Sequence, residues 1–170
     1  MNIRHSELSD IETIAHLVEE GRKIMRANGN FQQWINGYPA RKDIEKDIRD
    51  RNSYLCLDDG KAVASFTFMS GPEPTYLDIY EGKWMDDETP YHVIHRLAST
   101  PDSRGVFSSV IKFCLEKTDN LRVDTHRDNL IFQHNLLKHK FSYCGIIYLA
   151  DGTERLAYQR LERQTSLSKP

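Results

Sequence analysis

Apolar positions along this chain change period several times, and each change marks an element. Asn2–His5 reads as a short first strand. Ser9 and Glu12 have the spacing of a capping box. Ile11, Ile14, Ala15, Val18 and Met25 continue from it as one face of a helix that Asn28-Gly29-Asn30 ends. Residues 31–39 form an aromatic loop, and Ile44 and Ile48 mark a second helix from residue 40, charged on its other sides. Apolar runs at 54–57 and 62–69 flank Asp59-Gly60, a hairpin signal; residues 76–80 are expected to form a further strand segment.

The second half has a stronger rhythm. Residues 91–98 form an apolar run that reads as a buried strand, followed by a turn at Pro101-Asp102-Ser103. Arg104-Gly105 then opens a helix with apolar residues at Phe107, Val110, Ile111, Cys114 and Leu115. Residues 121–125 alternate as a strand and 126–129 turn into a helix whose apolar face is Phe132, Leu136 and Leu137. Another strand starts at Phe141. A last hairpin brackets Asp151-Gly152, and 164–170 is a polar tail. The alternation predicts an α/β fold: one domain with a mixed sheet and helices on both faces.

The chain has 170 residues and a formal net charge of −2. That length suits one cored domain, and that charge, without a long basic run, argues against a nucleic-acid partner. No apolar stretch is long enough to span a membrane, and the first residues hold no signal-peptide core. The three cysteines, Cys56, Cys114 and Cys144, have neither metal-ligand spacing nor a disulfide framework. A reduced, cytoplasmic protein without a metal or membrane association is the expectation.

The chemistry concentrates at residues 97–109. A strand, a tight turn and a helix N-terminus make an anion site, because first-turn N–H groups have no intrahelical partners and the helix dipole favours negative charge there. Arg104 adds a positive charge, and Gly105 allows close backbone approach. A pyrophosphate is the natural guest.

Leu97, Pro101, Arg104 and Gly105 resemble the cofactor motif of the GNAT N-acetyltransferase superfamily, with Ser99, Phe107 and Ser109 departing from its usual residues. The order strand, Asp128-Asn129, helix, Lys138-His139-Lys140-Phe141, strand is similar to that family's C-terminal half, with Lys140 where glycine is usual. The resemblance implies a GNAT-like domain over residues 1–163 with a mostly antiparallel central sheet whose middle strands part. It also implies acetyl-CoA as co-substrate. Its pyrophosphate would lie on the amides of Arg104, Gly105, Val106, Phe107, Ser108 and Ser109, and its pantetheine beside Leu97, Ala98 and Ser99. Asn129 would contact the pantetheine arm, or serve as a helix cap, or both. The implied partner is a small-molecule or peptide amine acceptor, with a homodimer open. A silent CoA-binding module and a phosphate-ligand binding protein are the rival readings.

Many GNAT enzymes place a Tyr seven positions after that Asn to protonate the leaving thiol; here the position holds Leu136. For the catalytic base, His95 lies on the strand leading to the phosphate turn, and imidazole can take a proton near neutral pH. Strand alternation would place His95, Leu97 and Ser99 on one face and Arg96 and Ala98 on the other, so that only one of His95 and Arg96 faces the acceptor. Trp34, Tyr38, Tyr76, Tyr80, Glu81 and Trp84 are the expected walls of an acceptor pocket, aromatic and acidic surface that suits an amine.

Overall fold

The computed structural model describes residues 1–162, so the expected tail over 164–170 lies outside the described residues. Seven strands form one sheet in the order β1-β2-β3-β4-β5-β7-β6. They are β1 (Asn2–His5), β2 (Ser53–Asp58), β3 (Lys61–Ser70), β4 (His92–Ser99), β5 (Asn120–Thr125), β6 (Ser142–Tyr148) and β7 (Glu154–Leu161). Only β4 and β5 pair in parallel; every other neighbour is antiparallel. The four helices are α1 (Ile11–Ala27), α2 (Arg41–Arg49), α3 (Val106–Leu115) and α4 (Leu130–Lys138).

The period-2 alternation of the strands sorts side chains into layers. On one face Val110, Ile111 and Cys114 of α3 and Leu136 of α4 pack on Tyr54, Phe66, Phe68, Leu121 and Val123. The other face is divided. Over its first half, Ile14, Leu17 and Val18 of α1 and Ile44 and Ile48 of α2 cover Leu55 and Ala98. Over its second half no α-helix lies among the described residues; the long β3–β4 connection supplies Tyr76 and Trp84, which pack with Val93, Cys144, Ile147 and Ala157. A seam is left where the two covers meet, above β4.

Local chemistry accounts for the differences from expectation. The capping box is Glu7 with Asp10, not Ser9 with Glu12, and it starts a 3₁₀ turn (Leu8–Asp10) that leads into α1: Asp10 Oδ2 accepts the Glu7 N–H at 2.8 Å and is held at 2.7 Å by Arg4. Residues 76–80 are not a strand. Glu73 caps a 3₁₀ turn (Pro74–Tyr76) through the Thr75 N–H, and Tyr80 reaches the sheet only as an isolated bridge to Ile146. Leu137 is 58% exposed, so α4 buries Leu136 without it. Lys140 takes the left-handed conformation itself, at φ 63°, and so ends α4 without glycine. No helix among the described residues is long and apolar enough to cross a membrane.

Leu136 is fully buried at the position discussed above for a tyrosine. Leu136→Ala should cost about 2–5 kcal/mol of unfolding free energy, the range for truncating a closed core site. Chemical denaturation checks this, and a loss below about 1 kcal/mol would mean that α4 is not seated as described.

Candidate active site

β4 carries one residue more than its neighbour. His95 pairs with Thr67 and Ala98 with Ser65, so a three-residue step on β4 faces a two-residue step on β3. The extra residue is accommodated at Arg96, whose φ is 52°. On its other side β4 pairs with β5 only at His92–Leu121 and Val93–Arg122. From Ile94 to Ser99, then, β4 presents unpaired backbone groups to the gap. The bulge also corrects the alternation argument: His95 and Arg96 line the same two chambers, and both face the gap.

Three chambers run in series along this gap. The first, about 230 Å³, lies among α1, Leu97, Ala98, Ser99 and the start of α4 at Asn129 and Phe132. The second, about 100 Å³, shares Leu97, Asn129 and Phe132 with it and adds His95, Arg96, Asp124 and Arg155. The third, about 560 Å³, shares His95, Arg96, Trp34, Tyr38 and Arg155 with the second and opens toward Asp47, Glu73 and Asp151. His95 therefore stands at the junction of the narrow and wide parts. Gly21 lets α1 come this close: a Cβ there would lie 3.1 Å from the Trp34 ring and 3.2 Å from Ala98 Cβ.

At the outer end of β4, Gly105 is the N-cap of α3 with φ 70°, and a Cβ built on it meets nothing within 4 Å. The first intrahelical bond runs from the Ser109 N–H to the Gly105 carbonyl at 3.0 Å, which leaves the preceding amides of the first turn open to an anion. Arg104 is exposed beside them. Ser108 Oγ lies 2.8 Å from His139 Nε2, and Phe107 packs edge-on to Phe132. Asn129 caps α4 by accepting the Phe132 N–H at 3.3 Å and donates through Nδ2 to Gln33 Oε1 at 3.0 Å.

Around His95 the polar groups form a chain. Its Nε2 lies 3.5 Å from Glu73 Oε2 and its Nδ1 3.7 Å from Asp124 Oδ2. Asp124 also accepts the Tyr76 hydroxyl at 2.6 Å and lies 3.9 Å from Arg155 Nε. The facing His95 ring holds the Glu73 carboxyl down at about 2, helped by the Thr75 N–H against the effect of burial. Burial, with the Asp124 charge added, pushes the Tyr76 phenol well above its ordinary value. Arg96 donates from Nε to Tyr38 at 2.9 Å and pairs with Asp47.

Of the aromatic residues expected at the acceptor, Trp34 and Tyr38 line the chambers. Tyr76 is 1% exposed and stands behind His95, at 6.0 Å between ring centroids. Trp84 does not reach the gap: it is 4% exposed, stacked on the Arg122 guanidinium at 4.1 Å. Tyr80 and Glu81 are exposed and absent from the linings, with Tyr80 packed on Tyr148. In the acidic stretch, the Asp87 carboxylate and the Asp86 carbonyl accept from the buried Arg122, while the Asp86 carboxylate closes its own turn on Glu88 and Thr89. The residues not anticipated are Glu73, Asp124, Gln33 and Arg155. All three cysteines are free and buried, and the described residues contain no cluster of three metal-ligating side chains.

The chain is similar over its whole described fold to a GNAT-family acetyltransferase from Streptococcus agalactiae, at 35% identity, 96% coverage of each chain and a TM-score of 0.87. An acetyltransferase from Staphylococcus aureus matches at 23% identity over 95% of this chain and 99% of its own, with a TM-score of 0.68. A GNAT-like decarboxylase bound to isobutyryl-CoA shares the fold at 14% identity over 96% of this chain and 100% of its own, also with a TM-score of 0.68. No family model matches the sequence, and neither does any curated protein. A sheet whose parallel middle strands part, with a helix N-terminus at the end of the parting strand, defines the class. The chain belongs to the GNAT family of acetyltransferases.

The low Glu73 carboxyl has a consequence for stability. A folded-state value of about 2, against 4.5 for a free side chain, gives stability that is present above pH 4.5 and lost as pH falls toward 2. Comparing wild type with Glu73→Gln, the stability gap should be full near pH 5 and shrink across that window. A gap independent of pH would mean that His95 and Glu73 do not interact.

Proposed function

We propose that this protein transfers the acetyl group of acetyl-CoA to a primary amine. The observation that best supports the reading is the open edge of β4 from Ile94 to Ser99, followed by the turn to the left-handed Gly105 at the start of α3. The pyrophosphate sits on the open first-turn amides of α3, from Gly105 to Ser108, with Arg104 beside it. The pantetheine arm lies along Leu97, Ala98 and Ser99 in the first chamber and pairs its amides with the unpaired edge as an added strand would. Asn129 takes part from the opposite wall while it caps α4. The thioester then reaches the narrow second chamber, and the amine enters from the wide third one between Trp34 and Tyr38.

His95 is the proposed base. The neutral amine attacks the thioester carbonyl, and the imidazole takes the proton the nitrogen sheds, directly or through one water. Glu73 and Asp124, on either side of the ring, compensate the charge it then carries. Collapse of the tetrahedral species expels the CoA thiolate. Leu136 is buried and offers no proton, so the thiolate leaves as such and takes its proton from solvent. A role limited to phosphate binding leaves the third chamber and the His95 chain unexplained.

The direct test is release of CoA thiol from acetyl-CoA in the presence of amines. His95→Gln should lower kcat by about two orders of magnitude with acetyl-CoA binding retained. A full-rate variant would remove His95 from the mechanism. Gly105→Asp places a carboxylate and a strained backbone where the phosphates lie, so calorimetric CoA affinity should fall at least about tenfold. Unaltered affinity in the folded variant would place the phosphates elsewhere.

A further inference from the structure

The wide chamber contains one cation that the rest of the protein leaves largely unpartnered. Three cationic side chains line it: Lys46, Arg96 and Arg155. Lys46 pairs with Asp50, and Arg96 with Asp47 and the Tyr38 hydroxyl. Arg155 is 7% exposed, yet among the described residues it makes a single hydrogen bond, from Nη1 to the carbonyl of its neighbour Glu154 at 3.0 Å. Its nearest carboxylate, Asp124, stands 3.9 Å from Nε, beyond hydrogen-bond distance. Its spare donors are not sealed in the core but reach the chamber, where a ligand's acceptor can take the place of water. The carboxylates of the chamber are otherwise engaged. Asp47 accepts from Thr67 at 2.9 Å, Glu73 from Thr75 at 3.0 Å, and Asp151 from the Thr153 N–H at 2.9 Å. These bonds leave the carboxylates charged, so the chamber is of mixed charge, and Arg155 is the place in it where a ligand's negative group finds donors not already taken.

Arg155 and His95 flank the same Asp124 carboxylate, at 3.9 and 3.7 Å. A ligand that presents its amine to His95 has Arg155 close by. On the acetyl-transfer reading above, we infer that the acceptor is a free amino acid, whose α-carboxylate docks on Arg155 while its amine faces His95. An α-amino acid carries its amine and carboxylate on one carbon, so it can present both to neighbours that share a carboxylate. A guanidinium fork binds a carboxylate with two parallel N–H···O bonds, which also fixes the direction in which the amine points.

The test is thiol release from acetyl-CoA with the standard L-amino acids and, in parallel, their carboxamides. The amide keeps the side chain and removes the negative charge. Its amine is the less basic of the two, so the comparison is biased against the inference. At least one free acid should be turned over with kcat/KM roughly 30-fold above its amide, as expected for losing a hydrogen-bonded charge. Arg155→Gln should collapse that ratio to near one by lowering the value for the acid. Arg155→Lys, which keeps the charge but not the fork, should retain part of the preference and shows that the strand tolerates change. Amides, simple amines or peptides that react as fast as the free acids, or faster, would overturn the inference. If no acceptor reacts, calorimetry of the same acid and amide pairs on CoA-loaded protein decides. An acid preference lost in Arg155→Gln upholds the carboxylate site while the transfer reading fails, and equal binding of acid and amide overturns the site.

Discussion

One extra residue in β4 governs the architecture of this protein. The bulge at Arg96 increases the local twist, and β4 leaves β5 after two paired residues. Everything functional is arranged along the resulting gap. The unpaired backbone from Ile94 to Ser99 is exposed to it, the strand's end delivers the start of α3, and His95 and Arg96 turn into it together. A parallel pair of full length would have satisfied those backbone groups internally and left no edge for a second chain-like ligand. The left-handed backbone of a non-glycine residue has a cost. Arg96 offsets it with two side-chain partners, Tyr38 and Asp47, one on the aromatic loop and one on α2. The bulge is thus tied to the cover that forms one wall of the acceptor chamber.

Electrostatics then divide the gap. Its outer end has an exposed arginine and open amides, a setting for phosphates. Its middle holds Glu73, His95, Asp124, Tyr76 and Arg155 in one connected group of charges and donors. Such a group is stable in a half-buried place only because each charge stands beside another. The exception is Arg155, whose bonding is incomplete, and the reading of the acceptor as an amino acid follows from that gap in its bonding. Arg122 is the contrast within the same molecule: its Nε also lacks a partner among the described residues, but its guanidinium is closed in between Trp84 and Tyr91, with Nη2 on the Asp86 carbonyl and the Asp87 carboxylate, and it lines none of the three chambers, so no ligand can reach it.

The order of elements was legible because periodicity reports burial, and burial fixes these strands and helices. The start of α3 at Gly105 and the cap at Asn129 could be read for the same reason: turn chemistry is local. What could not be read depends on the third dimension. Nothing in residues 91–99 announces a bulge, so strict alternation put His95 and Arg96 on opposite faces. Trp84 and Tyr80 looked like pocket aromatics because aromatic residues in a loop have no period, and only packing sends Trp84 into the core and Tyr80 to the outer edge. Glu73 and Asp124 lie 22 and 29 positions from His95, one in a loop and one on a neighbouring strand, and only the sheet brings them to one ring. Leu137 followed the helical period but sits where α4 turns away from the sheet.

The central claim is that the parted strands hold the acyl donor. A crystal structure of the full chain with CoA tests it most directly. The account requires the pyrophosphate on the amides from Gly105 to Ser108, the pantetheine amides paired with β4 between Leu97 and Ser99, and the sulfur in the narrow chamber beside His95. CoA seated anywhere else, or β4 closed onto β5 beyond Val93 with the cofactor bound, would contradict it.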